Sequence, residues 1–233
     1  AAVVAAAPEA PADAAALPAS KAEPVTKRRA RLYEDHEARA ISRLLAQLQE
    51  KGLALDIDIA PELAWQMGRP VRYGAGELRG FAERARYMIG IAGEALADVV
   101  PAPIDGFRRY IRREPLGPVL VIAPWNCPYL TAVNSVIPAL MAGNAVLLKH
   151  ASQTLLVGER FAEAFRRAGL PDGLFHNPVL DHGQTGALIA SGHVQQVNFT
   201  GSVAGGRLME SAAAGHFIGV GLELGGKDPA YVR

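Results

Sequence analysis

One cysteine, Cys127, stands in the whole chain, so no internal disulfide can form and packing alone must hold the fold. That composition suits a reducing compartment, and a cytoplasmic protein is expected. Charge, proline or glycine interrupts every apolar stretch before it reaches the roughly 20 residues of a membrane-spanning helix, so no membrane association is expected. Charge of one sign is missing too. Lys plus Arg number 24 against 23 Asp plus Glu, which removes the basic footprint that a nucleic-acid partner would require. The 6 histidines show no metal-ligand spacing, so no metal site is expected, and no internal repeat is visible. These absences leave small-molecule chemistry. With 50% of its 233 residues apolar, the chain can bury a sizeable core in one large domain or two small ones.

Residues 1–28 are rich in Ala and Pro without periodicity, the composition of a disordered tail that cannot offset its ordering entropy. Ala1 to Ala7 are apolar, but no basic segment precedes them and Pro8, Glu9, Pro11 and Asp13 follow, so a signal peptide fits badly. A chain opening on Ala instead of Met points to a processed product or a fragment. Helices are expected from Leu32 to Lys51, over Pro61–Met67 until Gly68 and Pro70 stop it, and along the stripe Leu78, Phe81, Ala85, Met88, Ile89 and Ala92. Residues 29–100 thus form an N-terminal helical part.

Between Pro101 and Glu114 the pattern turns strand-like, with Ile104, Phe107, Tyr110 and Ile111 set among Arg108, Arg109, Arg112 and Arg113. An extended arm over 101–115 is expected, its arginines forming a solvated face. From Gly117 short apolar runs alternate with helices. Strands are predicted at Val119–Ala123, Ala145–Leu148, Gln196–Phe199 and Phe217–Leu224, and helices at Thr131–Met141, Thr154–Ala168, Gln184–Ala190 and after Gly201 to about Ala213. This βαβ rhythm implies an α/β fold, a Rossmann-like parallel sheet covered by helices, over residues 116–233.

In such sheets ligands gather at the carboxyl ends of strands. Gly201 and Ser202 open a helix whose free N–H groups and dipole favour a phosphate, with Gly206 beyond, although Ser there is also an ordinary cap and the spacing is not G-x-G-x-x-G. Lys149 at its strand end can reach ribose hydroxyls or simply snorkel at the surface. Glu223 lies in an apolar strand before Gly225-Gly226; burial would raise its pKa as a general base needs, unless it sits in a core ion pair with Lys227. Asn126 can aim an amide at a developing oxyanion or serve the turn bounded by Pro124 and Pro128. Cys127 precedes Pro128, has no His near it in sequence, and is read as inert packing.

In this order and spacing, Pro124-Trp125-Asn126, Phe199-Thr200-Gly201-Ser202 and Glu223-Leu224-Gly225-Gly226-Lys227 resemble the aldehyde dehydrogenase superfamily, from about residue 30 to the last residue. Pro103–Gly106 through Arg113–Gly117 is similar to the family's oligomerisation arm, which implies a homo-dimer or tetramer. The resemblance implies oxidation of an aldehyde to a carboxylic acid with NADP or NAD: a cysteine thiolate attacks the carbonyl, Asn126 holds the oxyanion, hydride leaves to the cofactor, and Glu223 activates water against the thioester. It also implies that Lys149 binds the adenosine ribose, that Gly201, Ser202 and Gly206 meet the pyrophosphate, and that Trp125, Leu224 and Gly225 line the cofactor cleft.

Three departures follow. The family's nucleophilic cysteine lies a few dozen residues beyond the Glu-Leu-Gly-Gly-Lys motif, so the sequence reads as cut before the catalytic domain and inactive alone. Phe175–Gly183 differs from the commoner Val-Thr-Gly pattern at the adenine contacts. Ser152 replaces the glutamate of Lys-x-x-Glu in many NAD-preferring members, which favours NADP, although Ser152 could merely cap the following helix. A truncated dinucleotide- or partner-binding fragment is the alternative, and Glu223 argues against a coenzyme-A-acylating relative.

Overall fold

A computed structural model describes residues 52–226 and 229–232, with side chains from Ile59 onward. The tail, the helix expected at Leu32–Lys51 and the pairing of Glu223 with Lys227 lie outside the described residues. Helix α1, Gly52–Met67, starts well before the expected Pro61, which sits inside it. An interior proline costs about 3 kcal/mol, but Ile59 and Leu63 on either side of it are fully buried, and burying each contributes roughly 1.5–3 kcal/mol, so packing outweighs the missing N–H. Gly68 then ends the helix at φ +74, donating its N–H to the Ala64 carbonyl. Helix α2, Gly74–Ala95, buries Phe81, Ala85 and Ala92 on the predicted stripe.

The segment expected as an arm forms no strand. Val99 and Ile111 exchange two backbone hydrogen bonds of 3.0 and 2.8 Å, Ile104 bridges Phe107, and the rest is irregular. A ladder requires a neighbouring strand, and none lies beside this segment among the described residues. Its arginines are not simply solvated: Arg112 lies 3.7 Å from Asp98 and stacks on the Tyr110 ring.

Five parallel strands make the sheet: β1 Pro118–Ala123, β2 Ala145–His150, β3 Phe175–His176, β4 Gln196–Gly201 and β5 Gly219–Leu224, in the order β3-β2-β1-β4-β5. The fold is α/β, as the alternating pattern predicts. The sequence conceals β3 because two residues between turn-forming Pro171–Gly173 and Asn177-Pro178 carry no readable period. Strand β5 begins later than expected, since Phe217 sits at φ +54, fully exposed. Helices α3, Pro128–Met141, and α4, Leu155–Ala168, cover one face of the sheet, packing on Val119, Val121, Val146 and Leu148. On the other face lie α5, His182–Ala190, and α6, Val203–Ala213, over Leu120, Ile122, Val197 and Phe199. Helix α5 starts two residues before the expected Gln184 because Asp181 and Gln184 form a reciprocal capping box.

At the end of β2, His150 turns into the first core beside Phe161, and neither ring nitrogen finds a partner there. Burial, with Lys149 next to it, pushes the imidazole down to about 3. The sign follows directly. Above the ordinary value near 6.5 both folded and unfolded chains hold a neutral ring and stability is complete; as pH falls from about 6.5 toward about 3 the unfolded chain binds the extra proton and stability is lost, by about 1.4 kcal/mol per unit. Urea-melt midpoints should therefore fall between pH 7.5 and pH 5.5, and His150→Leu should flatten that slope while raising stability at pH 7.5 by about 1 kcal/mol, because two partnerless buried nitrogens are removed. An unchanged slope in the variant refutes this account.

Candidate functional site

All five strands run the same way, so their carboxyl ends share one edge of the sheet. The chain moves outward from β1 to β2 and β3 on one side and to β4 and β5 on the other, which makes the β1/β4 boundary the switch point where ligands enter such sheets. Along this edge stand Lys149 near the end of β2 and Ser152 after it, Trp125 and Asn126 after β1, Gly201 ending β4 and Ser202 after it, and Glu223 to Gly225 at the end of β5. Four adjacent strands at about 4.8 Å spacing span about 14 Å, so Lys149 and Glu223 serve opposite ends of any ligand laid across them.

Lys149 buries its stem, while its Nζ is not among the sealed, unpartnered polar atoms. The residue is 7% exposed on the α5/α6 face, where it is level with Ile122, and makes no hydrogen bond to a described residue. Desolvation lowers its pKa, and Asp181 at the N-terminus of α5 partly restores it. An ammonium with no hydrogen-bond partner among the described residues has donors available to a bound group. Ser152 opens a 3-10 turn, Ser152–Thr154, and its hydroxyl caps nothing. The cap that α4 needs comes instead from Gln66 of α1, whose side-chain oxygen accepts from Leu156 N at 3.0 Å.

The Ser202 hydroxyl accepts from Gly205 N at 3.1 Å and caps α6, so its ordinary role is real. That bond and the Ser202 carbonyl satisfy Gly205 and Gly206, and the N–H groups of Val203 and Ala204 have no partner among the described residues. Close packing explains the glycines. A Cβ on Gly201 would stand 2.7 Å from the Phe199 ring, and one on Gly206 2.6 Å from Leu224 Cδ2, which places Leu224 against the first turn of α6. Gly225 N donates to the Gly201 carbonyl at 3.1 Å and joins the two strand ends.

Glu223 corrects the sequence reading. It is exposed, so the expectation of a buried carboxylate fails. The register pairs it with Thr200 on the α3/α4 side of the sheet, but those helices cover β1 to β3 and leave Gln196, Asn198, Gly219, Gly221 and Glu223 open among the described residues. An apolar run in sequence reports only the other face of this strand.

After β1 the chain forms the Pro124–Cys127 turn into α3. Asn126 Oδ1 accepts from Cys127 N at 3.0 Å; a backbone N–H only donates, so the oxygen is engaged there and Asn126 Nδ2 is left without a hydrogen bond to a described residue. Trp125 beside it is half exposed. Helix α3 has no side-chain cap of its own and no acid in its first turn. Glu77 of α2 supplies both: Oε1 accepts from Tyr129 N at 3.1 Å and Leu130 N at 3.0 Å, while Oε2 pairs with Arg69. Arg69 in turn donates to the Asn126 carbonyl and contacts Cys127 Sγ at 3.7 Å. Burial opposes the Arg69 charge, but the bonds to Glu77 and Cys127 outweigh it and raise its pKa. Cys127 is half-buried at a helix N-terminus beside a guanidinium, and not sealed in a core. Sequence reasoning missed Arg69 and Glu77, which lies 52 residues from Tyr129. The one available signal was a helix start at Pro128 with no local cap.

The whole chain, residues 1–233, matches the model of the Aldehyde dehydrogenase family. A probable succinate-semialdehyde dehydrogenase [NADP(+)] of Synechocystis sp. is 37% identical over 72% of this chain and 37% of its own length. Phenylacetaldehyde dehydrogenase of Pseudomonas fluorescens is 42% identical over 67% of the chain and 32% of its own. Among solved structures, succinic semialdehyde dehydrogenase from Streptococcus pyogenes in complex with NADP+ superposes with a TM-score of 0.75 at 28% identity, over 86% of this chain and 45% of that one. The chain thus spans less than half the length of these relatives. Fold, motif order and sequence agree, and the chain belongs to the aldehyde dehydrogenase family.

Proposed function

We propose that these residues form the cofactor-binding part of an NAD(P)-dependent aldehyde dehydrogenase that oxidises an aldehyde to a carboxylic acid through a cysteine thioester. The observation that supports it best is Lys149, whose stem is buried and whose ammonium has no hydrogen-bond partner among the described residues, on the same sheet edge as the first N–H groups of α6, which are likewise unpaired there. A dinucleotide fits this edge: Lys149 and Ser152 hold the adenosine ribose, Val203 and Ala204 N–H with Ser202, Gly201 and Gly206 receive the pyrophosphate, and Trp125, Leu224 and Gly225 line the cleft. Bound there, its nicotinamide supplies the hydride acceptor. Asn126 Nδ2 donates to the oxyanion that forms when a thiolate from outside these residues attacks the aldehyde carbonyl. Glu223 takes the proton from the water that hydrolyses the thioester, and its exposure on an open face leaves room for that water. The exposed apolar side chains of 99–116, including Phe107 and Ile111, serve contact with a second copy, in a dimer or tetramer.

Cys127 is committed to the start of α3 beside Arg69, so residues 1–233 expressed alone should show no nicotinamide reduction with an aliphatic aldehyde. Reduction abolished by Cys127→Ala would overturn this assignment. In the full-length protein, Glu223→Gln should keep a first-turnover burst while steady turnover drops by about 10²-fold or more. Burst and steady rate falling together would make Glu223 structural.

Ser152 controls the cofactor preference in this reading, and NADP should be accepted at least as well as NAD. A carboxylate at this position would repel a 2′-phosphate by about 1 to 4 kcal/mol at contact distance, with the low end expected for an exposed residue. Ser152→Glu should therefore weaken NADP binding about tenfold while leaving NAD binding nearly unchanged, as read by titrating each cofactor. Equal effects on both cofactors would place the 2′-phosphate elsewhere.

A further inference from the structure

Two charged residues from the N-terminal helical part reach the turn that carries Asn126. Glu77 is 5% exposed, yet its carboxylate is spread over three partners on two other elements: Tyr129 N, Leu130 N and the Arg69 guanidinium. Capping α3 needs only Oε1. Arg69, between α1 and α2, is fixed on one side by Glu77 and spends its other amine on the Asn126 carbonyl and Cys127 Sγ. A planar fork held at both ends sets direction as well as distance, which a flexible ammonium does not. The peptide unit so clamped is the one whose N–H, on Cys127, holds Asn126 Oδ1 and leaves Nδ2 as the amide's available donor.

We infer that Arg69 and Glu77 are positioning residues that fix the Asn126–Cys127 peptide, and through it the direction in which the Asn126 amide donates; this rests on the oxyanion role proposed for Asn126. Neither side chain touches substrate. A displacement of about 1 Å in a donor of this kind costs on the order of 10²-fold in rate, so the clamp acts on chemistry and not on cofactor affinity.

The test is a double-mutant cycle in the full-length protein, reading the burst rate of nicotinamide reduction and, separately, the dissociation constant of the cofactor. Asn126→Ala should slow the burst by about 10²- to 10³-fold. Arg69→Met should slow it by about 10- to 100-fold with cofactor affinity unchanged, and the double variant should be no slower than Asn126→Ala alone within about twofold, because one residue acts through the other. Multiplying effects, or a wild-type burst in Arg69→Met, overturn the inference. A wild-type burst in Asn126→Ala removes the oxyanion reading itself, and the inference falls with it. Where Arg69→Met does not fold, Arg69→Lys takes its place in the cycle: it keeps a charge beside Glu77 but not the fork, so the burst should slow at an unchanged melting temperature, and a wild-type burst again overturns the inference.

Discussion

Strand β1 is buried on both faces, against α3 on one side and the α5/α6 layer on the other, and it pairs in parallel with both β2 and β4. Most of the site follows from that constraint. A strand enclosed this way must be apolar at successive positions, as Val119 to Ala123 are, and its parallel neighbours need crossover helices that return each strand to the same starting edge. Every loop that leaves a carboxyl end is thereby delivered to one rim. Lys149, Asn126, Ser202 and Glu223 come from four distant stretches of sequence and stand in a row because their strands do.

Helix starts along this rim are served from a distance. Glu77 caps α3 and Gln66 caps α4, each reaching from the N-terminal helices into the sheet domain, whereas α5 and α6 use their own Asp181 and Ser202. The two borrowed caps tie α1 and α2 to the strand edge that carries the candidate site. Buried carboxylates of this kind persist when they are paired and hydrogen-bonded, and Glu77 is, with two backbone N–H groups on Oε1 and a guanidinium on Oε2. The helical part that the sequence presents as a separate block is therefore joined to the site by hydrogen bonds as well as by apolar packing.

Among the described residues the sheet is covered unequally. Both faces of β1 and β2 carry helices, while β4 and β5 carry them on one face only, so alternate residues of β5 meet no described helix. Glycines at 219 and 221 let the side chains of Gln196 and Asn198 lie over β5, and Glu223 continues that row. Glu223 is exposed, as a glutamate ordinarily is, whereas the burial of Lys149 departs from what that residue type usually does. Lys149 points into the helix-covered face, and Glu223 points away from it.

The sequence by itself determined the parallel α/β architecture, most of the helix and strand positions, and the four rim segments, because these depend on local periodicity and on short motifs whose residues are neighbours in the chain. Tertiary structure decided the rest. It placed β3, lengthened α1 past Pro61, exposed Glu223, buried Lys149, freed Ser152 from capping and brought Arg69 and Glu77 to Asn126. A side chain's burial and its hydrogen-bond partners are set by whichever elements pack on its face, and those lie tens of residues away. Local pattern fixes which element a residue belongs to; only packing fixes what that residue meets.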